Sequence, residues 1–300
     1  MAHEAEPDHR SVPTLQVMAA GRSLAYREFG RPGGVPLVFL NHLGANLDNA
    51  DPRIMDGLAA HRRVIVLGYR GVGGSAGRVR TTIEEMAADT AAAIRALGHN
   101  KVDVFGLSMG GMVAQELAES VPKLVDRLVL VGSGPRGGTG LTRMSGVTLR
   151  GTLKATATRE DPKTLLFFTR TAAGRTAAAS YLGRLAERTT NRDEAVKPGV
   201  FLAQLAAVRR WGALPASTLA RSSTPALILH GDSDRMVPPA NAAALAAHFT
   251  EAALEVFADS GHGAAFQNHA RTVQLTLEFL DRQTGSPAAR NTTSPNQGDI

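Results

Sequence analysis

Val102-Asp103-Val104-Phe105-Gly106-Leu107-Ser108-Met109-Gly110-Gly111-Met112-Val113-Ala114 is the stretch whose reading decides the fold. An apolar run of strand length over 102–105 passes through a Gly-x-Ser-x-Gly pentapeptide into a helix-like segment over 109–119. The pentapeptide alone is common. Between a strand and a helix it describes a turn too tight for side chains at positions 106 and 110, and such a turn lifts the Ser108 hydroxyl above a sheet edge. Gly111 leaves the helix room to pack closely. The plainer alternative is an ordinary glycine-rich turn with a capping serine.

Working outward, short apolar segments over 15–18 and 24–29 flank Gly21 and suggest an opening hairpin. A buried strand over 36–40 follows. Then helix 53–60, strand 64–67, helix 82–97, strand 102–105, helix 109–119 and strand 128–131 alternate. In the helix from Thr82, Ile83, Met86, Ala87, Thr90, Ile94 and Leu97 recur at helical spacing, and Gly98 supplies a stop. Continuous apolar strands alternating with amphipathic helices imply an α/β fold, a mostly parallel doubly wound sheet with flanking helices on both faces. From 136 to 221 the strand signal disappears and the chain becomes rich in Ala, Thr and Arg, with helix-like stretches over 163–171 and 201–211. This segment reads as an inserted helical cap. Strand 226–230, helix 239–249, strand 254–257 and helix 270–282 then complete the core. The expected organisation is a disordered N-terminus over 1–13, a core over 14–135 and 222–283, the cap over 136–221 and a disordered tail over 284–300.

Composition narrows the chemistry. The 300 residues include no cysteine, which removes disulfides, thiolate nucleophiles and Cys-based metal sites. No cofactor and no metal are expected, since the acids and histidine at 48, 51, 56 and 61 fit no ligand spacing. The formal charge of +6 is concentrated between 136 and 221, where bases outnumber acids by about ten. The basic residues form no stripe with interleaved aromatics, so nucleic acid is not an expected partner. Gly71-Val72-Gly73-Gly74-Ser75 lacks the Lys-Ser/Thr of a phosphate loop. No apolar run reaches membrane-spanning length, and the polar, acidic first ten residues lack the order of a secretory signal. The expected location is cytoplasmic and the expected assembly a monomer or homodimer.

A serine hydroxyl needs a general base, and histidine suits that task. Of 9 histidines, His262 stands out, because Ser260-Gly261-His262-Gly263 follows a strand and its glycines let the ring enter a loop at the sheet edge. His3 and His9 lie in the terminus; His61, His99 and His248 fall near helix ends; His230 ends a strand and reads as buried packing. The imidazole in turn needs a carboxylate. Gly231-Asp232-Ser233-Asp234-Arg235-Met236-Val237-Pro238 offers two, of which Asp232 reads well as a turn residue.

The elbow, this acidic segment and the Ser-Gly-His loop together resemble the α/β-hydrolase superfamily, and the resemblance covers about 15–280 with the cap unspecific. It implies the order Ser108, Asp234, His262, because the acid stands three residues after the glycine of a Gly-x-x-Asp-x-x-Val-Pro pattern. Some members place the acid after the preceding core strand, where this chain reads Gly132-Ser133-Gly134. It further implies an oxyanion hole built from the Met109 amide and an amide just beyond a His-Gly pair after the third strand. Here that loop reads Asn41-His42-Leu43-Gly44, so the donor becomes Leu43 and His42 stands where glycine is usual. Either His42 alters the pocket floor, or Gly44 absorbs the unusual backbone.

The implied activity is that of a metal-free serine hydrolase acting on a small-molecule carboxylic ester or lactone through an acyl-enzyme. A cofactor-free perhydrolase or haloperoxidase, a carbon–carbon bond hydrolase and a non-enzymatic ligand-binding receptor of the same fold are alternatives. Nucleophilic aspartate enzymes are disfavoured by Ser108. Phe167, Phe168, Tyr181, Phe201 and Trp211 in the cap, with His42, are candidate substrate contacts, against the alternative that the aromatics only pack the cap.

Overall fold

The computed structural model of the chain describes residues 8–216 and 222–282. Its strands are β1 (Leu15–Ala19), β2 (Arg22–Gly30), β3 (Leu37–Leu40), β4 (Arg63–Leu67), β5 (Val102–Leu107), β6 (Val125–Val131), β7 (Ala226–Gly231) and β8 (Ala252–Phe257). They form one 8-stranded sheet in the order β1-β2-β4-β3-β5-β6-β7-β8. β1 and β2 run antiparallel, β2 meets β4 antiparallel, and every later pairing is parallel. The opening hairpin turns through Ala20 (φ 46°) and Gly21 (φ 71°), the left-handed pair that matches the twist of two-residue hairpins. Strands β3, β5 and β7 are buried at every residue, as continuous apolar runs covered on both faces must be.

The helices are α1 (Pro52–Ala59), α2 (Ile83–Ala96), α3 (Met109–Ser120), α4 (Met144–Thr158), α5 (Pro162–Phe167), α6 (Ala172–Ala186), α7 (Pro198–Ala213), α8 (Ala240–His248), α9 (Ala264–Gln267) and α10 (His269–Leu280). The helix expected from Thr82 is α2. Thr82 caps it by accepting from the Glu85 amide, and Gly98 at φ 86° takes the chain out of it. Among the described residues, the span between β6 and β7 carries α4 to α7 and no strand. No helix of the described residues is long and apolar enough to cross a membrane.

The structure departs from the sequence reading in several places. Strand β6 starts at Val125 rather than 128, because Val125 pairs with Val102 across a register shift, and polar Asp126 and Arg127 hide that pairing from an apolar scan. The helix expected over 163–171 stops at Phe167, where Phe168 turns extended and its ring is buried beside Tyr181. The disorder expected over 1–13 does not hold for residues 8–13. His9 and Val12 are buried, the His9 amide donates to Asp56 at 2.7 Å, and Arg188 donates to the carbonyls of His9 (2.7 Å) and Val12 (2.8 Å). Residues 1–7 and the expected disordered tail over 284–300 lie outside the described residues.

The segment between β6 and β7, expected as a cap, is tied to the rest of the fold by a buried ion pair. Arg184 of α6 grips Asp51, Nη2 to Oδ2 at 2.6 Å and Nε to Oδ1 at 3.0 Å, and also donates to the Phe266 carbonyl at 3.0 Å. Asp51 caps α1 through the Arg53 amide, so one carboxylate serves the helix start and the cap. At the other end of the core, α3 presses onto β3 and β6. A Cβ at Gly110 would stand 2.1 Å from the Leu40 carbonyl oxygen, and one at Gly106 would stand 2.5 Å from the Gly110 carbonyl oxygen. Gly110→Ala is therefore expected to destabilise the fold by about 3 kcal/mol or more, seen as a lower urea midpoint; an unchanged midpoint would count against this packing.

Candidate active site

Ser108 sits between β5 and α3 with φ 54° and ψ −114°, a left-handed conformation that a side chain adopts at a cost of about 1–3 kcal/mol. The surroundings hold it there. Its amide donates to the Val131 carbonyl at 2.8 Å, its carbonyl accepts from Ser133 Oγ at 2.9 Å, and Gly106, Gly110 and Gly111 leave no room for a relaxed turn.

His262 enters from the loop after β8, flanked by Gly261 and Gly263, where a Cβ would meet the backbone or side chain of Phe167 at 2.6 and 3.0 Å. Its Nε2 lies 2.9 Å from Ser108 Oγ and its Nδ1 2.7 Å from Asp234 Oδ2, with all three side chains buried. A carboxylate can only accept, so Nδ1 carries the ring proton and Nε2 presents a lone pair to the serine hydroxyl. Asp234 is aimed by backbone: its Oδ1 accepts from the amides of Met236 (2.8 Å) and Val237 (2.9 Å). Asp232 instead accepts from the amides of Asp259 and Ser260, so it bridges the turn after β7 to the loop after β8, whereas the sequence reading expects it to bond to nearby backbone. His230 is fully buried, donates Nε2–H to the Val237 carbonyl at 2.9 Å, and is held below its ordinary pKa by burial. Gly132 abuts the His262 ring, a Cβ there lying 3.4 Å from Nδ1.

The loop after β3 brings Leu43 beside this group. Neither the Leu43 nor the Met109 amide has a hydrogen-bond acceptor among the described residues. The Asn41-His42 pair has a structural explanation. Asn41 Oδ1 accepts from the His42 amide, its Nδ2 donates to the Asn46 carbonyl, and Gly44 takes φ 71°. The His42 Nδ1–H donates to the Leu43 carbonyl at 2.8 Å, and burial pushes the ring's pKa down to about 3, so it stays neutral. From above, Gln204 of α7 accepts from the Gly44 amide at 2.7 Å, while the Phe167 carbonyl of α5 accepts from the Gly263 amide at 2.7 Å. The cap thus holds both the loop of Leu43 and the loop of His262.

A cavity of about 290 Å³ opens over Ser108 and His262. Of the six expected contacts, His42, Phe167 and Phe201 line it. Phe168, Tyr181 and Trp211 do not. Tyr181 stacks on Phe266 at 4.2 Å, Phe168 packs against Tyr181, and the Trp211 Nε1–H donates to the Gly134 carbonyl, so these aromatics bind cap to core. The sequence reading missed Thr148, Thr152, Leu166 and Met236 in the lining, with Asp161 and Lys163. Asp161-Pro162, an N-cap followed by proline at the first helical position, was the available signal for α5. Among the described residues no group of three or more His, Asp or Glu could hold a metal ion.

The family model for the alpha/beta hydrolase fold matches residues 35–269. The chain belongs to the α/β-hydrolase fold family. An alpha/beta hydrolase fold protein from Chitinophaga pinensis is 33% identical and superposes with a TM-score of 0.86, over 92% of this chain and 100% of that one. A poly(3-hydroxyalkanoate) depolymerase of Ectopseudomonas oleovorans is 28% identical over 85% of this chain and 87% of that protein. A 2-hydroxy-6-oxononadienedioate/2-hydroxy-6-oxononatrienedioate hydrolase of Pseudomonas sp is 29% identical over 62% of this chain and 65% of that protein. As a member of this family, the chain places Ser108, His262 and Asp234 in one hydrogen-bonded line. A fluorophosphonate probe is expected to label this α/β hydrolase once, at Ser108, by intact-mass and peptide mapping; stoichiometric labelling of Ser108→Ala would reject that residue as the reactive one.

Proposed function

We propose that this α/β hydrolase cleaves a small-molecule carboxylic ester or lactone through an acyl-enzyme, with Ser108 as nucleophile, His262 as general base and Asp234 as the orienting acid. One observation carries the reading: an imidazole nitrogen 2.9 Å from the hydroxyl of a serine held in a strained turn, with a carboxylate 2.7 Å from the other ring nitrogen. Ser108 Oγ attacks the carbonyl carbon as its proton passes to His262 Nε2, and Asp234 stabilises the resulting imidazolium. The amides of Leu43 and Met109, without acceptors among the described residues, are the donors for the oxyanion. Collapse expels the alcohol, which takes the proton from Nε2. Water, deprotonated by the same nitrogen, then attacks the acyl carbonyl, and the acid leaves with Ser108 restored.

The cavity volume of about 290 Å³ suits a small molecule. The relatives' names, a poly(3-hydroxyalkanoate) depolymerase and a 2-hydroxy-6-oxononadienedioate hydrolase, point to two kinds of substrate, a polyester and an unsaturated oxo diacid. A panel of short aryl esters, lactones and β-diketones separates them. Turnover of esters or lactones is expected, with kcat/KM lowered on the order of 10⁴-fold or more in Ser108→Ala. Near-normal cleavage by that variant, or turnover confined to diketones, would overturn the proposal.

Gln204 acts through the loop of Leu43 rather than on substrate. Gln204→Met keeps the side-chain length and removes the acceptor for the Gly44 amide. It is expected to lower kcat about tenfold with little change in KM, the pattern of an oxyanion donor displaced from its transition-state position. A rise in KM with kcat intact would place Gln204 in substrate binding instead.

A further inference from the structure

Helices α4 and α5 form a wall with a cavity on each side. Thr148 and Thr152 of α4 line the catalytic cavity, while Arg150, Gly151 and Lys154 of the same helix line a second one of about 330 Å³. Leu166 of α5 lines both and is the partition between them. The contact at that partition is tight, since a Cβ at Gly151 would stand 2.3 Å from Leu166 Cδ2.

The second cavity gathers four cations, Arg150, Lys154, Arg170 and Arg235, and its lining contains no Asp or Glu. None of the four pairs with a carboxylate among the described residues. Two guanidinium groups are nevertheless fixed in place. Arg235 donates Nη2–H to the Leu165 carbonyl at 2.7 Å, and Arg150 donates Nε–H to the Gly146 carbonyl at 3.1 Å, which leaves their remaining N–H groups unmatched. Like charges brought together without counter-charge repel, and an anion with several acceptor oxygens relieves that repulsion and satisfies the free donors. Between the cations the floor is aliphatic, from Val147, Leu165 and Leu166. The ligand that fits is an aliphatic chain ending in an anionic oxygen group.

We propose that this cationic groove is the subsite for a carboxylate or phosphate at the far end of the acyl chain cleaved at Ser108, the chain passing where the end of the Leu166 side chain swings away from Gly151. The proposal rests on the ester or lactone reading and names its substrate class. Arg235 follows Asp234 directly in sequence, so one turn after β7 supplies a triad residue to one cavity and a cation to the other.

The test uses p-nitrophenyl esters of equal acyl length ending in a carboxylate, a phosphate or a methyl ester. At roughly 10 mM ionic strength, kcat/KM for at least one anionic ester is expected to exceed that of the neutral ester about tenfold, and the preference is expected to collapse at 0.5 M salt. Whichever anion shows the larger preference identifies the terminal group. The preference should grow with chain length; one already complete at succinyl length overturns the path past Leu166. The combined variant Arg150→Gln, Lys154→Gln, Arg170→Gln, at three exposed positions, is expected to bring the anionic-to-neutral ratio close to one, and an unchanged ratio overturns the subsite. Calorimetric titration of Ser108→Ala with nonanedioate and with octyl phosphate reads the groove without turnover. Binding that the combined substitution abolishes supports the subsite even if no ester is hydrolysed. Absence of binding by both ligands overturns the subsite while leaving the triad reading intact.

Discussion

The close approach of α3 to the end of β3 is the constraint on which the rest of the site depends. Only an unsubstituted Cα at Gly110 lets the Leu40 carbonyl come as near as it does. That approach has two effects on the same few atoms. It forces the turn at Ser108 into its left-handed conformation, lifting the hydroxyl off the sheet. Leu40 is also the residue from which the chain runs into Asn41, His42 and Leu43, so the same contact delivers the Leu43 amide beside the serine. Strain at Ser108 and the position of the second amide are therefore one packing event.

The polar groups around this contact are arranged so that protons have defined places. Asp234 is turned by two backbone amides and can only accept from His262, so the imidazole shows its lone pair to Ser108. Two further histidines sit close by, His230 with its Nε2 3.5 Å from the Asp234 oxygen that His262 holds at 2.7 Å. His230 donates its Nε2 proton to the Val237 carbonyl and is held below its ordinary pKa by burial, and His42 donates its Nδ1 proton to the Leu43 carbonyl and is held uncharged by burial. A second imidazolium next to His262 would oppose the charge that forms there during turnover. Burial of His42 removes that opposition.

The core was legible because its signals are local and strong. Apolar runs, alternating helices and three glycine-bearing loops at strand ends pointed to the parallel sheet and to residues the structure brings within hydrogen-bond distance. The cap was legible only as a helical segment. Helix α4, with Thr148, Thr152, Gly146 and Gly151 among its residues, has no sustained apolar stripe, because it lies between two cavities rather than on one core face. Aromatic residues there misled in a systematic way. Tyr181 and Trp211 are large enough to be the anchors between cap and sheet, and a sequence does not distinguish a ring that faces a cavity from one that closes a joint. Gln204 gave its own signal, a lone amide in the apolar run of α7, whose meaning depends on a partner 160 residues away. The N-terminal segment was misjudged because its polar residues carry few hallmarks of burial, while its order comes from distant Arg188 and Asp56.

The two hydrogen bonds from the cap to the catalytic loops bear on how this chain could diversify. Families built on a common core are often imagined to change substrate by exchanging the cap as a cassette. Here the cassette would carry parts of the engine with it. A replacement lacking an acceptor over the Gly44 amide, or a carbonyl over the Gly263 amide, would arrive with its own pocket and leave two core loops unsupported. Drift within the present segment is the easier route, and the exposed cations Arg150, Lys154 and Arg170 bond to neither of those two loops, whereas Arg235 ties the turn of Asp234 to the Leu165 carbonyl. Change in this chain is thus partitioned by position, with the wall that carries Gln204 and the Phe167 carbonyl constrained by the loops it supports and the wall of Arg150 and Lys154 free of that constraint.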